Sequence, residues 1–102
     1  MPEATIQALR EAIRGLHGCD SAFVESVPVH EQHDGKTVWQ GAVVMFDLIG
    51  HPTARRAYAW SADAPGSERR RFTAVLHAGP VDSPATAVRA SIVAEHRKRT
   101  SP

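Results

Sequence analysis

Residues 37–49, TVWQGAVVMFDLI, carry apolar side chains on both parities of an extended chain. Side chains on a strand alternate between the two faces of a sheet. Such a run therefore belongs to an interior strand, either covered on both sides or covered on one and used on the other. The flanking segments have to supply the neighbours and the cover.

Upstream, AFVESVPVHE (22–31) alternates, with Phe23, Val27 and Val29 on one face and Val24, Ser26 and His30 on the other. Pro28 cannot donate to a ladder, which makes this an edge strand. Asp34-Gly35 between the two runs is a hairpin signal. With those two residues as the loop, Phe23 falls opposite Phe46, Val27 opposite Ala42, Val24 opposite Met45 and His30 opposite Trp39. Downstream, GHPT (50–53) is a turn and 54–62 a strand. That hairpin sets Asp47 opposite Arg56, Met45 opposite Tyr58 and Val43 opposite Trp60. On the reverse face it sets Phe46 opposite Ala57 and Val44 opposite Ala59. SADAPGSE (61–68) is a polar loop. Residues 69–78 form a fourth strand, with Phe72, Ala74 and Leu76 on the alanine-bearing face and Thr73, Val75 and His77 on the aromatic one.

Two helices bracket these strands. In 3–17, Ile6, Leu9, Ile13 and Leu16 repeat at helical spacing. In 84–97, Ala85, Val88, Ile92 and Glu95 line one side. Ser83 is the expected N-cap, Pro84 suits the first turn, and Arg97, Lys98 and Arg99 complement the C-terminal dipole. The expected fold is α+β: a two-layer sandwich, helix–four-stranded antiparallel meander–helix, with both helices on one sheet face. It forms one domain over 1–102, with 98–102 a disordered basic tail. The alternative is one helix on each face.

Composition limits the function classes. Of 102 residues, 42% are apolar and 23% charged, the balance of a globular domain. The single cysteine, Cys19, excludes an intrachain disulfide. The N-terminus has no apolar run of the signal-peptide kind, and no segment approaches the roughly 20 apolar residues of a membrane span. A cytoplasmic location without membrane association is expected. Residues 1–50 carry three Lys and Arg against seven Asp and Glu, and residues 51–102 carry nine against four. Such asymmetry fits either mutual attraction of the halves or a nucleic-acid partner.

If both helices lie on the alanine-bearing face, the other face is open. It collects Val24, Trp39, Val43, Met45, Tyr58, Trp60 and Val75, ringed by Asp47, Arg56, Arg71, His30 and His77. An uncovered apolar patch with Trp, Tyr, Met and Arg has the make-up of an interface. The candidate site is therefore Trp39, Val43, Met45, Asp47, Arg56, Tyr58, Trp60, Arg71, Val75 and His77. The favoured reading is a non-catalytic interaction module, homodimeric through this face. The alternative is a nucleic-acid-binding module using the same aromatics with Arg56, Arg69, Arg70 and Arg71, and the third is a small-molecule site or enzyme on that face using His30, His77 and Asp47 beside the aromatics. Arg56 opposite Asp47 reads as a cross-strand ion pair. No catalytic residue, metal or cofactor is expected. HEQHD (30–34) places its histidines on opposite faces of a strand, and HGCD (17–20) offers only a lone Cys–His adjacency.

The order helix, antiparallel strands, basic helix is similar in topology alone to double-stranded-RNA-binding domains. That family's lysine cluster at the start of the second helix has no counterpart in SPATAVRAS, and this chain has one strand more, so no function carries over. HGCDSAFVESVPV, TVWQGAVVMFDLIGHPTARRAYAW and PVDSPATAVRASIVAEHR resemble a set of short bacterial proteins of uncharacterised function, which implies a bacterial source.

Overall fold

The computed structural model describes residues 2–63 and 70–100. In chain order they form α1 (Glu3–His17), β1 (Asp20–His33), β2 (Lys36–Ile49), β3 (Arg56–Asp63), β4 (Arg70–Leu76) and α2 (Pro84–Thr100). The strands make one antiparallel sheet in the order β1-β2-β3-β4. The α+β class and the helix–meander–helix order are as the sequence predicts. Arg69 and most of the 61–68 loop lie outside the described residues. So do 101 and 102 of the expected tail, whose residues 98–100 are the last of α2. No helix among the described residues is long and apolar enough to cross a membrane.

The two helices do not share a face. Ile6, Leu9 and Ile13 of α1 pack with Cys19 on Val44, Phe46, Ala57 and Ala59. Ala87 and Val88 of α2 pack with Val81 on Val29, Val43, Met45, Tyr58 and Trp60. Val43 and Met45 alternate with Val44 and Phe46 along β2, so the two clusters lie on opposite sides of the sheet. The expected one-sided, two-layer arrangement is corrected to three layers, α1–sheet–α2. The reason is area. Each face of β2 carries large apolar side chains, and leaving either wet costs about 25 cal/mol per Å². The loop after β4 directs the second helix, because buried Val81 anchors it on the aromatic side. Ser83 then caps α2, accepting from Thr86 N at 3.2 Å while Ser83 N donates to Thr86 Oγ1 at 2.9 Å.

The β1–β2 hairpin turns on Asp34 (φ 52°) and Gly35 (φ 75°), the two left-handed residues of a tight two-residue turn. Its register departs from a straight ladder twice. Phe23 faces Phe46, but Glu25 faces Met45, so Val24 is bulged out. Glu31 faces Trp39 and Gln32 faces Thr37, so Val38 is the second extra residue. Between the bulges β1 is one residue out of phase with the expected pairing. Val27 now faces Val43 and joins the α2-side cluster with Val29, rather than sharing a face with Phe23. His30 faces Gln40, not Trp39, and bonds Thr37 Oγ1 at 2.7 Å on the other side.

The β2–β3 ladder is short. Asp47, Phe46, Met45 and Val44 face Arg56, Ala57, Tyr58 and Ala59 as expected, but the expected Val43–Trp60 pair lies beyond the ladder's end. The β1–β2 ladder continues to His33–Lys36 and the β3–β4 ladder to Asp63–Arg70. The sheet thus forks into two arms, β1–β2 and β3–β4. Bulges increase local twist, which carries the distal hairpin away from β3. Leu48 N donates to Arg55 O and His77 N to Arg56 O. Counting in steps of two from these bonds aims the Ser61 carbonyl at the fork. Arg70 reaches across to it, with Nη2 3.3 Å from Ser61 O and Nε 3.1 Å from Ser61 Oγ.

Both outer edges are blunted. Pro28 removes one donor from β1. His17, at the end of α1, bonds the outward-facing Ala74 carbonyl of β4 at 2.9 Å. Gly18 (φ 69°) ends α1 and bonds Arg14 O. Asp20 accepts from Arg14 at 3.1 Å and Arg10 at 3.4 Å.

Two outcomes follow for stability. Trp60→Ala should cost about 3–5 kcal/mol in urea denaturation, because Trp60 is 5% exposed beneath α2; a cost under about 1 kcal/mol would contradict that cover. Asp20 is held below the usual carboxylate range by the Ser21 N–H, then by Arg14. The stabilisation is complete above the unfolded value and is lost as pH falls through the folded one. The wild type should therefore lose stability below about pH 4 more steeply than Asp20→Asn does. Parallel acid profiles for the two proteins would refute this.

Candidate functional site

The ten side chains singled out from sequence fall into three groups. Val43, Met45, Tyr58 and Trp60 are buried and Val75 is half-buried, all in the core under α2. They make no open face, and the expectation of an aromatic sheet surface free to stack on a second copy is corrected accordingly. The cover that a dimer would have supplied comes from the chain's own α2. Trp39, Trp60 and Arg71 border a cleft at the fork. Asp47 of β2, Arg56 of β3 and His77, just past β4, form a row at the other end of the same face.

The cleft is about 380 Å³, within the usual range for a small-ligand site. Trp39 comes from the β1–β2 arm and Trp60 from the β3–β4 arm. Their rings meet edge-to-face across the fork, with centroids 5.6 Å apart at 70°. Glycine at position 41 leaves room for this. Trp39 and Gly41 lie on the same face of β2, and the indole folds back along the strand over Gly41. A Cβ there would stand 3.1 Å from Trp39 Cη2. Val88 and Ile92 of α2 form the apolar wall, and Val38, exposed by its bulge, reaches the opposite rim.

The polar groups cluster on one side. Thr73 and Ser91 bring hydroxyls, and Arg71 of β4 pairs with Glu95 of α2. On the other flank of α2, Arg89 pairs with Glu31 of β1, whose side chain is only 13% exposed. These two cross-layer pairs fix the helix over the two arms, one pair to each. The cleft therefore has aromatic and aliphatic walls, two hydroxyls and one ion pair. It can hold a ring by its faces and orient it by one edge.

Val38, Ala62, Thr73, Ser91 and Glu95 complete this cleft and were not among the sequence candidates. The signal was Glu95 itself, a carboxylate at helical spacing from Val88 and Ile92 on α2, for which Arg71 supplies the cation.

At the other end, Arg56 Nε and Nη2 both bond Asp47 Oδ1, at 3.3 and 3.2 Å, the ion pair expected from sequence. Tyr58 Oη lies 2.7 Å from His77 Nδ1. Burial pushes the Tyr58 phenol up, with Arg56 opposing and Asp82 reinforcing. The turn before β3 is held by His51 Nδ1, which accepts from Thr53 N at 3.1 Å and Ala54 N at 2.9 Å. The other histidines do not assemble: His33 lies 3.4 Å from Asp34, both exposed, and no three His, Cys, Asp or Glu among the described residues are placed to hold a metal. No family model, curated protein or solved structure matches the chain.

Gly41→Ala should leave the fold intact, since the backbone there is an ordinary strand, and displace the Trp39 ring by a few tenths of an ångström. The expected readout is a changed near-ultraviolet circular dichroism band from the coupled indoles, with an unchanged far-ultraviolet spectrum. An unaltered near-ultraviolet band would show that Trp39 does not lie over Gly41.

Proposed function

We propose that the chain is a non-catalytic binding module whose ligand is a small ring-shaped molecule with one polar edge, seated in the cleft between the two arms of the sheet. The observation that carries this is the Trp39–Trp60 contact across the fork. Two tryptophans bridge the fork beyond the end of the β2–β3 ladder, and hydroxyls and an ion pair stand beside them. Trp39 is half-buried rather than buried, so its ring is available to a ligand in a way that the Trp60 ring is not. A ring stacked on Trp39 keeps apolar contact with Val88 and Ile92 and turns its polar edge to Thr73, Ser91 and the Arg71–Glu95 pair.

This reading replaces self-association through the aromatic face, which α2 occupies. It is also favoured over base stacking by a nucleic acid. Tyr58 and Trp60 have no free ring face of their own, and Arg70 and Arg71 are committed to Ser61 and Glu95.

Indole and methyl β-glucopyranoside serve as probes of the two ring types. Tryptophan fluorescence and saturation-transfer NMR at millimolar concentrations should give saturable binding of at least one of them. Trp39→Ala should weaken it about 3–10-fold, the scale of one aromatic contact. Neither probe binding to the wild type, or binding indifferent to Trp39→Ala, would end the reading. A dimer in sedimentation that Trp39→Ala dissociates would restore self-association in its place.

A further inference from the structure

The concavity beside Asp47 and Arg56 lies apart from the cleft, and its chemistry is set by one buried hydroxyl. Tyr58 is 1% exposed, and among the described residues its Oη has no partner other than His77 Nδ1. A phenol is a better donor than acceptor, and a buried hydroxyl with a single partner donates to it. Tyr58 therefore donates and Nδ1 accepts. In a neutral imidazole the proton then resides on Nε2. The bond to Tyr58 thus fixes one tautomer and leaves His77, an exposed residue, with an N–H donor for its surroundings.

Those surroundings are a concavity of about 630 Å³ lined by Asp47, Thr53, Arg55, Arg56 and His77. Arg56 uses Nε and Nη2 on Asp47 Oδ1, which leaves Nη1. The Arg55 guanidinium has no partner among the described residues, while its carbonyl is held by Leu48 N at 2.8 Å. Thr53 adds a hydroxyl, on a turn that His51 fixes from within. The set is rich in donors. Its one carboxylate, Asp47, is already neutralised by Arg56, and the lining keeps a net positive charge from Arg55.

We propose that this concavity binds a phosphate-class oxyanion, held by the Arg55 guanidinium, Arg56 Nη1, His77 Nε2–H and the Thr53 hydroxyl. Guanidinium groups match phosphate oxygens in geometry as well as charge. Asp47 acts as a positioning residue: it holds the Arg56 plane and takes no part in the anion's shell. The site does not depend on the cleft, and its ligand is of a different chemical class.

Inorganic phosphate is the probe, titrated into the full chain at pH 7.5 with chloride exchanged to keep ionic strength constant. Amide resonances of Thr53, Arg55 and Arg56 and the imidazole resonances of His77 should shift saturably with a millimolar midpoint. Arg55→Gln and Thr53→Val, both at exposed positions, should each fold normally, and Arg55→Gln should raise the midpoint at least about 5-fold. Shifts that are absent, that grow linearly without saturation, or that survive Arg55→Gln unchanged would overturn the proposal. So would nitrogen-15 shifts that place the His77 proton on Nδ1, since the donor set would then be broken.

Discussion

Four successive residues of β2, Val43 to Phe46, are buried, two on each face of the sheet. Neither pair stays dry unless a helix lies over it. This requirement for cover from both sides organises the molecule. It draws α1 to one face and α2 to the other, and it divides the core into two clusters that meet only through the sheet. It also decides where a ligand can enter. With both faces roofed, the sheet's own side chains are reached where the layers part, as at the fork between the arms and at the turn end of the sheet.

The fork and its roof depend on each other. Beyond Val44–Ala59 the β2–β3 ladder stops, and side chains take over the work of joining the arms. Trp39 meets Trp60 across the gap on the α2 side, while within the β3–β4 arm Arg70 satisfies the Ser61 carbonyl that β2 no longer reaches. Arg89–Glu31 and Arg71–Glu95 tie the same helix to both arms. Being exposed on one partner at least, these pairs contribute modestly to stability. Their effect is placement: they hold Val88, Ser91 and Ile92 over the gap, where a cleft rather than a closed core results.

Much of this was legible in the chain. The helix and strand order, the Asp34-Gly35 turn, the Ser83 cap and the Asp47–Arg56 pair all follow from local rules of periodicity, turn chemistry and cross-strand pairing. The face assignment did not follow. Only α1 carries a clear apolar stripe, α2 is weakly amphipathic, and neither pattern says which side of a sheet the helix will cover. The decisive residue was Val81, an isolated valine in a loop that reads as mere punctuation yet anchors the crossover. The bulges at Val24 and Val38 were equally hidden, because ESVPV pairs acceptably in either phase. Val27 and Val29 were therefore assigned to the wrong core. The cleft was missed as a consequence: with α2 on the other side, Ser91, Ile92 and Glu95 could not be set beside Trp39 and Trp60.

The two bulges act as a matched pair of frameshifts. Val24 in β1 puts the next seven residues out of step, and Val38 in β2 restores step before the turn. The hairpin tip and the strand bases thus keep the alignment of an unbulged ribbon, and only the middle is inverted. Inside that inverted window Glu31, rather than His30, is presented to α2, and the helix acquires its ion pair. Deleting either extra residue would leave every remaining pair as it is, and deleting both would return a straight hairpin with the same inner face. Forced into the ladder instead of bulging out of it, the same two residues would turn the middle of the ribbon over, so its inside and outside depend on where the chain leaves a residue unpaired.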